Sequence, residues 1–175
     1  CSYCAIKFAE GTLVSKPMDA IQSEFDAGLA SEHQNIFLIG TDVGAYGQDI
    51  GTDIADLLRN LLTREGEYIL HLPEFHPRWL IQYHKELIDL FVTAGDKIGS
   101  IILPIESGSE RILKLMRREH TAAKAKECML NLKKTLPKIR IYTHVLVGFP
   151  GESEQDFDDT ICFLHEVTFD EAART

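Results

Sequence analysis

An alternation along this chain narrows its fold more than any other feature: short apolar runs rich in β-branched residues are separated by longer stretches with a helical repeat. The runs are residues 35–40, 68–75, 100–106 and 140–149. They read as strands apolar enough to be covered on both faces. Parallel neighbours need a crossover between them, and a helix supplies it. Four strands, each followed by one or two helices, predict the α/β class with a parallel sheet. An open sheet and a partial (β/α) barrel both satisfy the pattern, and in either one ligands gather at the C-terminal strand ends.

The helices have identifiable limits. Pro17 suits a first helical position, where its missing N–H costs nothing, and Met18, Ile21, Phe25 and Leu29 then share a face. Ile50, Ile54, Leu57, Leu58, Leu61 and Leu62 form a second stripe. Pro77 opens a third helix, with Leu80, Tyr83, Leu87 and Leu90 inward and Gly95 as its stop. Ser109, Thr121 and Ser153 are expected N-caps of three more, the last with Phe157, Ile161 and Leu164 on its inner face.

Composition sets outer bounds. With 175 residues, 45% of them apolar, the chain suits one domain over 1–175 with its own core. The 27 acidic against 18 basic residues give a net charge of −9, a poor surface to lay along nucleic acid. No apolar run reaches the roughly 20 residues of a membrane span. Four cysteines without a leader point to reduced or ligating thiols in the cytoplasm. The first residue is Cys1 rather than Met, which marks a processed or excised piece.

Three polar, glycine-bearing turns end strands on one side of the expected sheet: Gly40-Thr41-Asp42, Glu106-Ser107-Gly108-Ser109, and Val147-Gly148-Phe149-Pro150-Gly151-Glu152. Glycines admit backbone close to a ligand, and Asp42 and Glu106 could take an ammonium group or a ribose diol. Each alone could be an ordinary strand-to-helix turn; together they describe a ligand site. Cys1 and Cys4 form C-S-Y-C, which reads as half a zinc site, a dithiol pair or part of an iron–sulfur ligand set. Cys128 and Cys162 read as buried core thiols. Trp79 reads as packing, His71, His76 and His84 as satisfied or solvated histidines, and Arg117-Arg118 with Lys124 and Lys126 as a solvated helix face.

These residues resemble a known family. Cys1-Ser2-Tyr3-Cys4 resembles the end of the C-x-x-x-C-x-aromatic-C signature of radical S-adenosylmethionine (SAM) enzymes, and the downstream motifs resemble their methylthiotransferase branch. Gly40-Thr41-Asp42-Val43 with Tyr46-Gly47, His76-Pro77, Pro104-Ile105-Glu106-Ser107-Gly108-Ser109, Leu113-Lys114-Leu115-Met116 and Val147-Gly148-Phe149-Pro150-Gly151-Glu152 fall in that branch's order. The resemblance implies a partial (β/α) barrel holding a [4Fe–4S] cluster and SAM, and reductive cleavage of SAM to a 5′-deoxyadenosyl radical. It implies Cys1 and Cys4 as cluster ligands, and Tyr3 beside the adenine. Gly40, Thr41 and Asp42 would meet the methionine ammonium, Glu106 the ribose hydroxyls, and Val147 and Gly148 the adenine, with Ser107 also among the cofactor-binding residues. It further implies a methylthiotransferase acting on tRNA or a protein, an electron donor such as a flavodoxin or ferredoxin, and no membrane. The alternatives are another radical reaction on the same core, or a non-catalytic α/β domain with a zinc or redox C-x-x-C.

Departures from the pattern are local. The branch's first cluster cysteine would lie four positions before Cys1, so the piece alone is expected to hold no stable cluster and to be inactive. Flanking domains for a second cluster and for RNA are expected outside 1–175. Glu106 stands for a Gln, and Tyr142-Thr143-His144 for Ser-Thr-Asp.

Overall fold

The computed structural model describes residues 1–174. Its sheet has five strands, β1 (Asn35–Phe37), β2 (Ile69–Leu72), β3 (Ile98–Ile102), β4 (Arg140–Val145) and β5 (Glu171–Arg174), in the order of the chain and all parallel. Around it run α1 (Ile6–Glu10), α2 (Met18–Ala30), α3 (Ile54–Leu62), α4 (Pro77–Gln82), α5 (His84–Ala94), α6 (Glu110–Leu115), α7 (Ala122–Thr135) and α8 (Glu154–Val167). Side chains alternate across the sheet. Leu70, Leu72, Ile101, Ile141 and Val145 face the helices and are buried with Leu58, Leu80, Leu87 and Phe91. The other face carries Phe37, His71, Ser100, Tyr142 and His144, so the sheet curls as a partial barrel with a polar concave side.

All four expected strands are present but shorter, and the causes are local. Pro73 follows β2, and Pro104, which lacks an N–H, follows β3 by two residues. Pairing resumes past Pro104 through Glu106, which takes a left-handed φ of 65° and bridges to Val145. The fifth strand, Glu-Ala-Ala-Arg, has no apolar run to announce it and is exposed throughout; backbone bonds to β4 alone define it.

Three expected caps form with their side chains: Ser109 accepts from Ile112 N, Thr121 from Lys124 N, and Ser153 from Asp156 N in a full capping box. Gly95 stops α5 at φ 63°. Pro17 precedes the first helical residue of α2, and α3 begins at Ile54 behind Asp53, leaving Ile50 exposed in the preceding turn. The expected helix from Pro77 bends at Tyr83 into α4 and α5 while its i→i−4 bonds continue on both sides. Helix α8 is rotated from expectation. Its buried residues are Asp156, Thr160, Phe163 and Val167, while Phe157 is 39% exposed. The polar pair turns inward because it bonds the turn at 107–109.

Candidate functional site

The turns after β1, β2 and β3 open on one cavity of about 700 Å³ at the C-terminal edge of the sheet. Of the expected site residues, Cys1, Tyr3, Cys4, Thr41, Asp42 and Glu106 line it. Gly40, Ser107, Val147 and Gly148 stand outside its wall. Ser107 is 1% exposed; its hydroxyl accepts from Ser109 N at 3.1 Å and lies 3.2 Å from Thr160 Oγ1. Gly148 N donates to Glu152 Oε2 at 2.5 Å, and Val147 is 44% exposed.

Asp42 is fixed from strand β1's side by helix α4. One oxygen accepts from His76 N at 3.2 Å and the other from Trp79 Nε1 at 2.8 Å. Trp79 is buried, as expected, and lies so close to Gly44 that a Cβ there would stand 2.4 Å from its ring. Burial raises the Asp42 carboxyl above its ordinary value, against the pull of those two bonds. Among the described residues no cation bonds it, and each oxygen keeps a lone pair free for one.

Of the three arginines that line the cavity, Arg78, Arg117 and Arg118, sequence reasoning missed the buried one. Arg118, expected on a solvated face, has a side chain only 6% exposed. Arg117 adopts φ 54° after α6, and that turn sends Arg118 back under the cavity. There its guanidinium donates to Pro104 O and to Cys1 Sγ at 3.1 Å, and stands 3.9 Å from Glu106 Oε1. Its Nε is buried without a partner among the described residues. The local signal was the end of a helix in front of two arginines; the burial is tertiary. Burial and then the Glu106 carboxylate hold the Tyr3 phenol well above its usual pKa, so it stays protonated as a donor toward Glu106.

His76 also lines the cavity. Its Nδ1 accepts from Arg78 N at 3.1 Å, which places the ring proton on Nε2. Burial, then the charge of Arg118, push its pKa down to about 2. His120 packs edge-to-face on it at 5.3 Å, is 8% exposed, and makes no hydrogen bond of ordinary geometry at either nitrogen. Burial pushes His120 down to about 4, with the Ile105 backbone pulling weakly the other way. His71 lies elsewhere, on the concave face, bonded to Ser100 Oγ at 2.7 Å and Asn35 Oδ1 at 3.2 Å. Among the described residues, no three His, Cys, Asp or Glu side chains are grouped to hold a metal ion.

The donor set can be tested against an iron–sulfur cluster and SAM. Cys1 and Cys4 are free thiols at the cavity wall, and soft thiolates suit iron; they provide two ligands. Cys128 is buried, as expected, but Cys162 is exposed on α8, because that helix turns its polar Asp156 and Thr160 face inward. SAM carries an ammonium, a carboxylate and a ribose diol. The cavity offers an undercompensated Asp42, an Arg118 with a donor to spare and an acceptor at Glu106, so the residues fit it.

Over 175 residues the chain is 37% identical to the tRNA-2-methylthio-N(6)-dimethylallyladenosine synthase of Histophilus somni, covering 97% of this chain and 36% of that protein. It is 35% identical to the enzyme of that name from Vibrio cholerae, with the same coverage. The chain thus spans about a third of the length of these curated relatives. Among solved structures, the cobalamin-dependent SAM radical enzyme OxsB with aqua-cobalamin and SAM bound superposes with a TM-score of 0.59 at 15% identity, over 84% of this chain and 21% of OxsB. Elp3 of Methanocaldococcus infernus gives 0.54 at 14%, over 88% of this chain and 40% of Elp3. Residues 1–164 match the family model of the Radical SAM superfamily, and on that extent the chain belongs to the radical SAM superfamily.

Proposed function

We propose that residues 1–175 form the core of a radical SAM methylthiotransferase that cleaves SAM reductively in the cavity at the strand ends and modifies a prenylated adenosine of tRNA. The observation that carries this reading is the cavity wall itself, where two free thiols share one space with Asp42, Glu106 and the buried Arg118. In this reading Cys1 and Cys4 supply two thiolates to a [4Fe–4S] cluster. Bound there, the cluster would supply the electron that breaks the sulfonium carbon–sulfur bond. Asp42 binds the ammonium. Arg118 and the neutral Nε2–H of His76 bind the carboxylate. Glu106 takes the ribose hydroxyls, with Tyr3 donating to it from the adenine side. The turn at 147–148 closes on the nucleoside.

The relatives' name supports tRNA as substrate. At a net charge of −9, phosphate contacts fall to other parts of a longer protein. A flavodoxin or ferredoxin suits the electron donor, and the cytoplasm suits both; among the described residues no helix is long and apolar enough to cross a membrane. Anaerobic reconstitution of the complete protein with iron and sulfide, followed by 5′-deoxyadenosine assay, tests the reading. Deoxyadenosine release under reduction is expected. An intact cluster with no release overturns it.

A further inference from the structure

We propose that Asp156, which stands outside the cavity wall, is a positioning residue that ties the turn at 106–109 to the turn at 147–153 and keeps both in nucleoside-binding geometry. The inference rests on reading the cavity as a SAM site. Asp156 is 4% exposed and its two oxygens accept from five donors. Oδ1 takes Ser109 Oγ at 2.6 Å and Arg111 Nε at 3.2 Å. Oδ2 takes Ser153 N at 2.9 Å, Ser153 Oγ at 2.5 Å and Arg111 Nη2. Arg111 in turn donates from Nη2 to Gly151 O at 2.7 Å.

One carboxylate thus joins the start of α6, the start of α8 and the loop between β4 and α8. One turn further along α8, Thr160 repeats the attachment. Its hydroxyl is spent on Asp156 O at 3.0 Å, so it accepts from Gly108 N at 2.9 Å, and Ser107 is the donor in the 3.2 Å contact. Gly108 has no room for a side chain, since a Cβ would stand 2.5 Å from Asp159 O. A capping box needs only Ser153 and Asp156. Neither the bonds to Ser109 and Arg111 nor the grip of Arg111 on Gly151 serves the cap; they serve the relative placement of two loops.

The test measures binding of S-adenosylhomocysteine and of 5′-methylthioadenosine, which lacks the amino-acid end, by calorimetry well below the melting temperature. Asp156→Asn and Arg111→Met are each expected to weaken both ligands by the same factor, about tenfold. Arg111 is half exposed, so Arg111→Met keeps a folded protein in hand if Asp156→Asn does not fold. Arg118→Met is expected to weaken the homocysteine ligand alone. Asp53→Ala, which removes the N-cap of α3 away from these turns, should lower the melting temperature and leave both affinities intact. A wild type that binds neither ligand overturns the SAM reading and this inference with it. Binding by the wild type that Asp156→Asn or Arg111→Met leaves unchanged overturns the positioning role alone.

Discussion

Asp42 and Asp156 are the same residue type turned inward at two corners of one sheet edge, and their surroundings have opposite effects. Asp156 receives five hydrogen bonds, two of them from Arg111, and its carboxyl is held far below the usual range, first by Arg111 and then by Ser109 and Ser153. Asp42 receives two, from a backbone N–H and an indole, and burial outweighs them, so its carboxyl is raised. Saturation suits an acid that holds the frame; undercompensation beside a cavity is what the ammonium-binding role proposed for Asp42 requires. The same contrast separates Arg111, bonded on two sides, from Arg118, whose Nε is buried and unpaired.

The largest expected effect falls on the saturated corner. Asp156→Ala leaves Ser109, Arg111 and Ser153 without their acceptor and should lower the melting temperature by about 5–10 °C. Because the folded state lowers this carboxyl's pKa, its contribution is present above the ordinary carboxylate range and is lost as pH falls into and below it. The variant should therefore lose stability less steeply in acid than the wild type; equal losses of unfolding free energy between pH 6 and pH 3, measured by urea titration, would break the comparison.

Asp42→Ala should lower the melting temperature less, since only His76 N and Trp79 Nε1 lose their acceptor, and should weaken SAM binding by about 1.5–3 kcal/mol, the range for a hydrogen bond to a charged group. Calorimetry with an unchanged dissociation constant would return Asp42 to a purely structural role as holder of His76 and Trp79.

His120 sharpens the contrast on the basic side. Its folded pKa of about 4 lies below the ordinary value, so the unfolded chain takes the proton first, and stability drains away as pH falls from about 6.5 to about 4. His120→Phe keeps the edge-to-face packing on His76, removes two buried nitrogens that lack a hydrogen bond of ordinary geometry and should stabilise by about 1 kcal/mol. It should also flatten that limb of the pH profile, as chemical denaturation would show. The smallest effect is expected at Glu106, whose left-handed φ a glycine adopts freely. Glu106→Gly relieves that φ but removes the carboxylate that faces the buried Arg118, so the two effects oppose each other and should leave a net change of about 1 kcal/mol, while ribose binding is lost. A large loss of stability would make Glu106 a structural residue.

Most of the fold was legible because its signals are local. Ser109, Thr121 and Ser153 each cap with a side chain reaching three residues on, and Gly95 stops a helix by its own φ. What escaped depends on distant partners. Glu171–Arg174 becomes a strand only because β4 offers it a backbone edge. The inward face of α8 was assigned to Phe157 because apolar periodicity was read alone, whereas Asp156 and Thr160 are drawn in by a turn some 50 residues away in sequence. Six of the expected site residues lie in the cavity wall, yet Arg118 looked like any surface arginine, since nothing within a turn of it foretells burial against Pro104 and Cys1.

The order of strands in the sheet is the order of the chain, β1 through β5. As the polypeptide leaves the ribosome, each β/α unit can therefore pack on the one already made, without waiting for a distant strand to be inserted between them. The cavity's walls would then arise in succession: Asp42, His76, Glu106, Arg118. Only the emergence of α8, with Asp156 and Thr160 reaching back to Ser109 and Ser107, fixes the turns in place. On this route the pocket would gain its final shape only once α8 has emerged, when the β/α core is already built and a costly cofactor has a finished seat to enter.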